Sequence, residues 1–271
     1  MESDVKIFTP KTDNYATTPA KKVELGEVDF ALCPFESVIS YRTKKKPFPA
    51  VAIAALLGED LSAIACLQDS GISTPKDLDG QTYASYQARY EDEIVRQMII
   101  NDGGNGNLDI VYPKKLGIWD TILTRKTDAT WIFLNWEGLQ AKKENIRLST
   151  FKMKDYGIPY GYSPVLFADA EKVAQKEKAY RNFLKATKKG YLFAISNPKE
   201  AIEYLAPHVA KNDRNIDLLE SQKFTSQYYG DEKTWGTLDA KKVMEYLTWL
   251  YEKGLERQQL KVDTLLAKSL F

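Results

Sequence analysis

The chain has little of what would announce a chemistry. Its 271 residues hold two cysteines, Cys33 and Cys66, and one histidine, His208. Each thiol falls inside a predicted strand, so both read as buried free thiols and not as a disulfide framework. With one histidine and no cysteine cluster, a histidine-based metal centre is excluded and no cofactor is expected. A serine-histidine-aspartate triad would have to use His208, which follows Pro207 near a helix end and reads as a surface cap; no GxSxG element accompanies it. None of the lysines sits in an apolar stretch that would depress its pKa for covalent chemistry. Charge of one sign is missing as well. There are 38 basic and 37 acidic residues, a net +1, whereas a phosphate-binding surface shows a clear basic excess, so no nucleic-acid partner is expected. The one dense basic run, Arg42 to Lys46 before Pro47, reads as a solvated helix end. No apolar run approaches the roughly 20 residues of a membrane helix. The start, MESDVKIFTP, carries no secretory pattern, which points to the cytoplasm if that start is native and to a periplasmic or cell-surface location if a longer form carries a signal.

What is present is a mixture of short apolar runs and helical patterns. Strands are predicted at Val5–Phe8 (ended by Thr9 and Pro10), Val28–Cys33, Ala50–Leu57, Ser62–Leu67, Gln81–Ser85, Leu108–Tyr112, Ala129–Leu134, Arg147–Phe151 and Pro164–Ala168. Between them lie helices signalled by caps and stops: Thr18 before Pro19 with Gly26 as the stop, a helix from Pro34, a turn at Ser73-Thr74-Pro75, and a helix from about Arg89 to Asp102-Gly103. From Glu171 onward the pattern is helical, with Tyr180, Phe183, Leu184, Thr187, Tyr191 and Ala194 on one face. Asn197 with Glu200 reads as a helix start, and Leu238 to Lys253 as another amphipathic helix. Alternating strands and helices favour an α/β fold with largely parallel sheets flanked by helices. A strand-rich excursion followed by a helical return suggests two lobes: a discontinuous first lobe of residues 1–72 and 158–271, and a second lobe of residues 73–157. The hinges are expected near residues 68–75 and 156–165.

Two stretches rhyme. Thr127 to Gly138, TDATWIFLNWEG, is a buried strand closing on Trp136 and Glu137; Gly26 to Ser37, GEVDFALCPFES, closes on Phe35, Glu36 and Ser37. In open α/β sheets ligands bind at the carboxyl ends of strands. A carboxylate there can accept two parallel hydrogen bonds from an amidine-like edge, and a flat ring can stack on an aromatic face. The other reading stays open at both sites: a core ring beside an acid that favours the helix dipole. Tyr86, Arg89, Tyr90 and Glu91 stand where a strand hands over to a helix, without the glycines of a phosphate cradle, so for Arg89 ligand contact and a local salt bridge are equally open. Tyr156, Tyr160 and Tyr162 either line a cleft at the hinge or pack a tight linker.

Several segments together resemble a known family. They are TTPAKKVELGEVDFAL with PFESVISY, ALLGEDLSAIACLQDSGISTPKDLDGQTYASYQARYEDEIVRQMI, WEG, YGIPYGYSPVLFA and WGTLDAKKVMEYLTWLYEKGL. In that order they resemble the SsuA/ThiY-like solute-binding proteins, in particular the branch that binds pyrimidine precursors of thiamine. The resemblance implies a two-lobed type II periplasmic-binding-protein fold and a non-enzymatic role. An aminopyrimidine-like small molecule would be held in the interlobe cleft for delivery to the permease of an ABC transporter. It implies cleft positions for Glu137, Trp136, Glu36, Ser37, Tyr86 and Tyr90. Family members carry a further strand and helix ahead of the Val5 strand, so a truncated or alternatively started form is expected. Related enzymes that make the pyrimidine of thiamine, the hydroxymethylpyrimidine phosphate synthases, resemble the chain too. Their lysine and histidine fall at Cys33 and Ser37, however, and their cysteine-rich iron motif has no counterpart near YGYSPV. A sulfonate or other anion binder of the same fold is the remaining alternative.

Overall fold

The computed structural model describes residues 5–9, 16–115, 117–209, 216–267 and 270. Two β-sheets carry the fold, the first paired antiparallel and the second mixed. The first has three strands in the order β1 (Ala31–Cys33), β8 (Val165–Asp169), β2 (Ala50–Ala55). In the second, five strands run β5 (Asp109–Val111), β4 (Thr82–Ala84), β6 (Ala129–Phe133), β3 (Ser62–Leu67), β7 (Leu148–Phe151).

Helices fill the intervals: α1 (Pro19–Glu24), α2 (Phe35–Thr43), α3 (Glu91–Asn101), α4 (Ile118–Leu123) and α5 (Glu137–Lys143), then α6 (Ala170–Gln175), α7 (Glu177–Ser196), α8 (Pro198–Leu205), α9 (Leu218–Ser226) and α10 (Ala240–Glu252). Local chemistry explains several ends. Thr18 accepts the Lys21 N–H with Pro19 in the first turn, and Gly26, at φ 74°, supplies the left-handed residue past the end of α1. A reciprocal cap between Thr74 and Asp77 starts the 3-10 turn Pro75–Leu78. Asn197 makes no such cap, because its side-chain amide donates back to Phe193 O.

Three expectations are corrected. Val5–Phe8 is not a strand; Val5, Ile7 and Phe8 are exposed and bury no face that would fix a register. Pro10 lies outside the described residues. Second, the strand pairing is not largely parallel: the first sheet is antiparallel and the second mixed. Parallel pairing joins β4 to β5 and β6, while β8 is antiparallel to β1 and β2, and β3 to β6 and β7. In each sheet the reversed strand is the one by which the chain arrives from the other sheet. Third, β3 hydrogen-bonds into the second sheet, so the chain crosses between Ala55 and Ser62 and returns between Phe151 and Val165. A boundary at residue 72 would leave β3 with a sheet it does not pair with; continuous apolar runs on either side of Gly58 conceal which sheet each strand joins.

All six residues of β2 are buried, and its outer edge is covered by the C-terminal segment through Ala52 N–H to Leu265 O (2.8 Å) and Ala267 N–H to Ala52 O (2.9 Å). One contiguous buried cluster runs from Ile39, Ala52 and Phe167 of the first sheet layer to Ile64, Tyr83 and Ile94 of the second, through Tyr90, Trp131, Ile158 and Tyr246. The two halves are packed shut on each other.

Candidate ligand site

Glu36 sits in the first turn of α2, directly after β1, so strand direction and helix start together bring its carboxyl to the boundary between the sheets. It is 6% exposed, and its Oε1 accepts the Tyr246 hydroxyl at 2.5 Å. Burial pushes the Glu36 carboxyl up to about 7, against the pull of that hydrogen bond, and the charges of Glu91 and Asp60 push the same way. Rings surround it. Tyr160 meets Tyr246 edge-on at 5.6 Å and Trp131 edge-on at 5.3 Å, while Trp249 stacks on Tyr246 at 6.1 Å. Asp60, on the crossing between the sheets, is likewise raised by burial to about 6 despite accepting from Ser62.

The start of α3 faces this group from the second sheet. Glu91 is 3% exposed and accepts the Tyr83 hydroxyl (2.8 Å) and the N–H groups of Tyr86 (3.0 Å) and Ala88 (3.1 Å). Those amides are what an incoming anion would use at a strand-to-helix turn, and Glu91 already occupies them. Burial raises its own carboxyl. Arg89 turns the other way: its guanidinium donates to Glu256 Oε2 at 2.8 Å and to Thr43 Oγ1, while the Tyr90 hydroxyl donates to the same Glu256 oxygen at 2.9 Å. Of the two sequence readings of Arg89, the structure shows a salt bridge, made across 167 residues rather than locally.

Glu137 and Trp136 occupy a different corner. Glu137 Oε2 accepts the Phe133 N–H at 2.9 Å, closing the end of β6, and Trp136 is the half-buried residue that starts α5. Beside them Asn135 is held by α9: its side-chain amide donates to Thr225 Oγ1 (3.1 Å) and its carbonyl accepts the Ser221 hydroxyl (2.7 Å). An open groove of about 720 Å³ lies alongside, lined by Leu134 and Gly138 and not by Trp136 or Glu137, with α5 and β7 on one side and Phe224 and Tyr228 on the other.

The structure therefore gathers Glu36, Tyr90 and Tyr160 into one neighbourhood, with Tyr86 next to them on Glu91. Ser37 is half-buried and hydrogen-bonds the Cys33 thiol, which burial pushes up to about 12. Tyr162 is pinned to the start of α10, accepting the Asp239 N–H at 3.0 Å with Lys242 over its ring at 4.4 Å. Sequence reasoning missed Tyr246, Trp131, Asp60 and Glu256, while Glu91 was placed at the strand-to-helix junction without its role of filling the turn's amides. Tyr246 could have been found as an aromatic on the buried stripe of α10; nothing local marks Glu256, which lies just beyond that helix.

The sequence profile of the family described as NMT1/THI5 like matches residues 4–201. The chain belongs to that family. Among relatives, a formylaminopyrimidine-binding protein of Halalkalibacterium halodurans is 25% identical over 256 residues, spanning 91% of this chain and 75% of that protein. A 4-amino-5-hydroxymethyl-2-methylpyrimidine phosphate synthase of Legionella pneumophila is 24% identical over 213 residues, 75% of this chain and 64% of the synthase. Among solved structures, the alkanesulfonate-binding protein SsuA of Xanthomonas axonopodis pv. citri, bound to MOPS, superposes with a TM-score of 0.70 at 10% identity, over 92% of this chain and 85% of that one. At that identity the likeness concerns the fold alone, and it places this NMT1/THI5-like chain in the periplasmic-binding-protein architecture. The two named relatives divide between a binder and a synthase.

Proposed function

We propose that the chain is a solute-binding protein that captures a small aminopyrimidine between its two halves and delivers it to an ABC-type importer. One observation carries this reading: a buried carboxyl, Glu36, with its proton held near neutrality and hydrogen-bonded to Tyr246, the ring that leads on to Tyr160 and Trp131. An aminopyrimidine offers an N–C–NH2 edge and a flat ring. A carboxyl that exchanges its proton near pH 7 pairs with that edge in either charge form, and the rings hold the heterocycle by its faces. The binding-protein relative supports the same reading. Two lobes, one around each sheet, would part at the crossings to admit the ligand and close again over it. Glu137 and Trp136 would present the second acid and ring, with Ser37, Tyr86 and Tyr162 at the margins. Delivery to an importer calls for an extracytoplasmic location.

Calorimetry with a formylaminopyrimidine tests the proposal. Glu36→Ala and Glu137→Ala are each expected to weaken binding by about tenfold or more, because a hydrogen bond to a charged group is worth about 1.5 to 3 kcal/mol. Since Glu137 also closes β6, Glu137→Gln accompanies it; unchanged affinity in the Glu36 variant would reject the assignment. The synthase relative supports a second reading, an enzyme that forms the pyrimidine. Incubation with pyridoxal phosphate and iron separates the two, since a Schiff-base absorbance band with product would favour the enzyme. Stabilisation by taurine-like sulfonates, and not by pyrimidines, would overturn both.

A further inference from the structure

The strongest feature left unused is the way α9 grips the corner after β6. Ser221 and Thr225 lie one helical turn apart on the buried face of α9, at 7% and 8% exposure, and both reach Asn135, which precedes Trp136 and Glu137. Thr225 Oγ1 also donates to Ser221 O at 2.7 Å, which orients its oxygen to accept from Asn135. Near the start of the same helix, Glu220 pairs with Lys142 of α5 at 2.6 Å. Just past its end, the carbonyl of Tyr228 accepts the Gly58 N–H at 2.7 Å, on the crossing between the sheets. Thus α9 holds at once the second sheet's candidate ligand corner and the segment about which the halves would move.

Resting on the reading of the chain as a two-lobed binder, we propose that α9 is the closing clamp of the cleft, and that Asn135, Ser221 and Thr225 are positioning residues for Trp136 and Glu137. The polar contacts involved are few and short-sided. Hydroxyls on a helix can release a carbonyl and an amide to water and retake them without unfolding anything, which is what a reversible clamp requires. The carbonyl of Asn135 has a side-chain donor and not a sheet partner, so the grip fixes the backbone that leads into Trp136.

The test uses the full chain with Lys143→Cys on α5 and Glu245→Cys on α10, both exposed positions, spin-labelled for pulsed distance measurement; the native thiols are buried. Neither label is on α9, so fraying of that helix alone leaves the reading unmoved. In the parent a short, narrow α5–α10 distance is expected. In Ser221→Ala/Thr225→Val a longer, broader population should appear, and Ser221→Ala/Thr225→Ser, which keeps the second hydroxyl, should recover most of the short one. Stopped-flow release of a formylaminopyrimidine should quicken by about tenfold in the first variant, with association little changed. An α5–α10 distance identical in all three proteins overturns the clamp. Should the distances shift while even the parent binds no pyrimidine, the clamp stands and the ligand assignment fails.

Discussion

Glu36 is the residue on which burial and charge act most plainly. Its carboxyl stands at about 7 in the folded chain against an ordinary 4.5, burial being the main cause. A group whose folded value is raised adds stability that is fully present below the unfolded value and is lost as pH rises through the folded one. Across that window the difference corresponds to about 3 kcal/mol, an upper figure because the surroundings relax around the ionised form. Glu36→Gln keeps an oxygen for the Tyr246 hydroxyl and removes the titration. The variant is therefore expected to melt with the wild type at pH 5 and above it at pH 8. A pH 8 melting temperature equal to or below that of the wild type would show that Glu36 ionises without cost. Tyr246→Phe takes the hydroxyl donor away from Oε1 and should deepen the wild-type loss at alkaline pH, seen as a steeper fall of the urea midpoint between pH 6 and 8.

Elements show how far local pattern reaches. Caps, glycine stops and apolar runs placed β2, β3, β6, α1 and α10 within a few residues, because each of those ends is written in neighbouring side chains. Sheet membership was not legible: Ala50–Ala55 and Ser62–Leu67 are both apolar and both buried, yet belong to different sheets. The site was legible in half. Glu36 and Tyr90 were found as polar residues at strand-to-helix junctions, but their partners Tyr246 and Glu256 lie 210 and 166 residues away, and no periodicity reports such a meeting. The edge of β2 is a case where long-range chemistry does the holding. Arg42 of α2 donates to Ala50 O at 2.7 Å and to Thr264 O at 2.6 Å, fastening the strand and the segment that covers its edge. Arg42→Ala should cost about 1.5 to 3 kcal/mol in urea unfolding, since both bonds come from a charged donor. Hydrogen exchange should quicken at Ala52 and Ala267, whose N–H groups make that seam; exchange unchanged there would mean that the segment holds the edge without Arg42.

At the scale of the whole molecule, two buried acids on the contact between the halves titrate in opposite senses. Glu36 is raised. Glu256 is lowered: burial alone would raise it, but Gln258 N–H, Tyr90, Thr43 and Arg89 together outweigh burial. Stability from a lowered carboxyl is present above its unfolded value and is lost as pH falls through the folded one. Asp60, raised to about 6, and Glu91, also raised by burial, act with Glu36. The raised group favours acid and Glu256 resists it, so stability should peak on the acid side of neutrality, near about pH 5, fall as the pH drops below about 4, and fall again as the pH rises from about 5 through 7, levelling off above that. Urea midpoints at five pH values would trace the curve. Glu36→Gln/Glu256→Gln should flatten it from both ends, at a cost of about 1 to 3 kcal/mol near the optimum, because Arg89, 36% exposed, loses its partner but keeps part of its water. A peak that stays sharp in the double variant, or a wild-type curve still rising at pH 8, would show that Glu36 and Glu256 do not control it. Asp60 and Glu91, the other raised acids at the contact, would then be the next to replace.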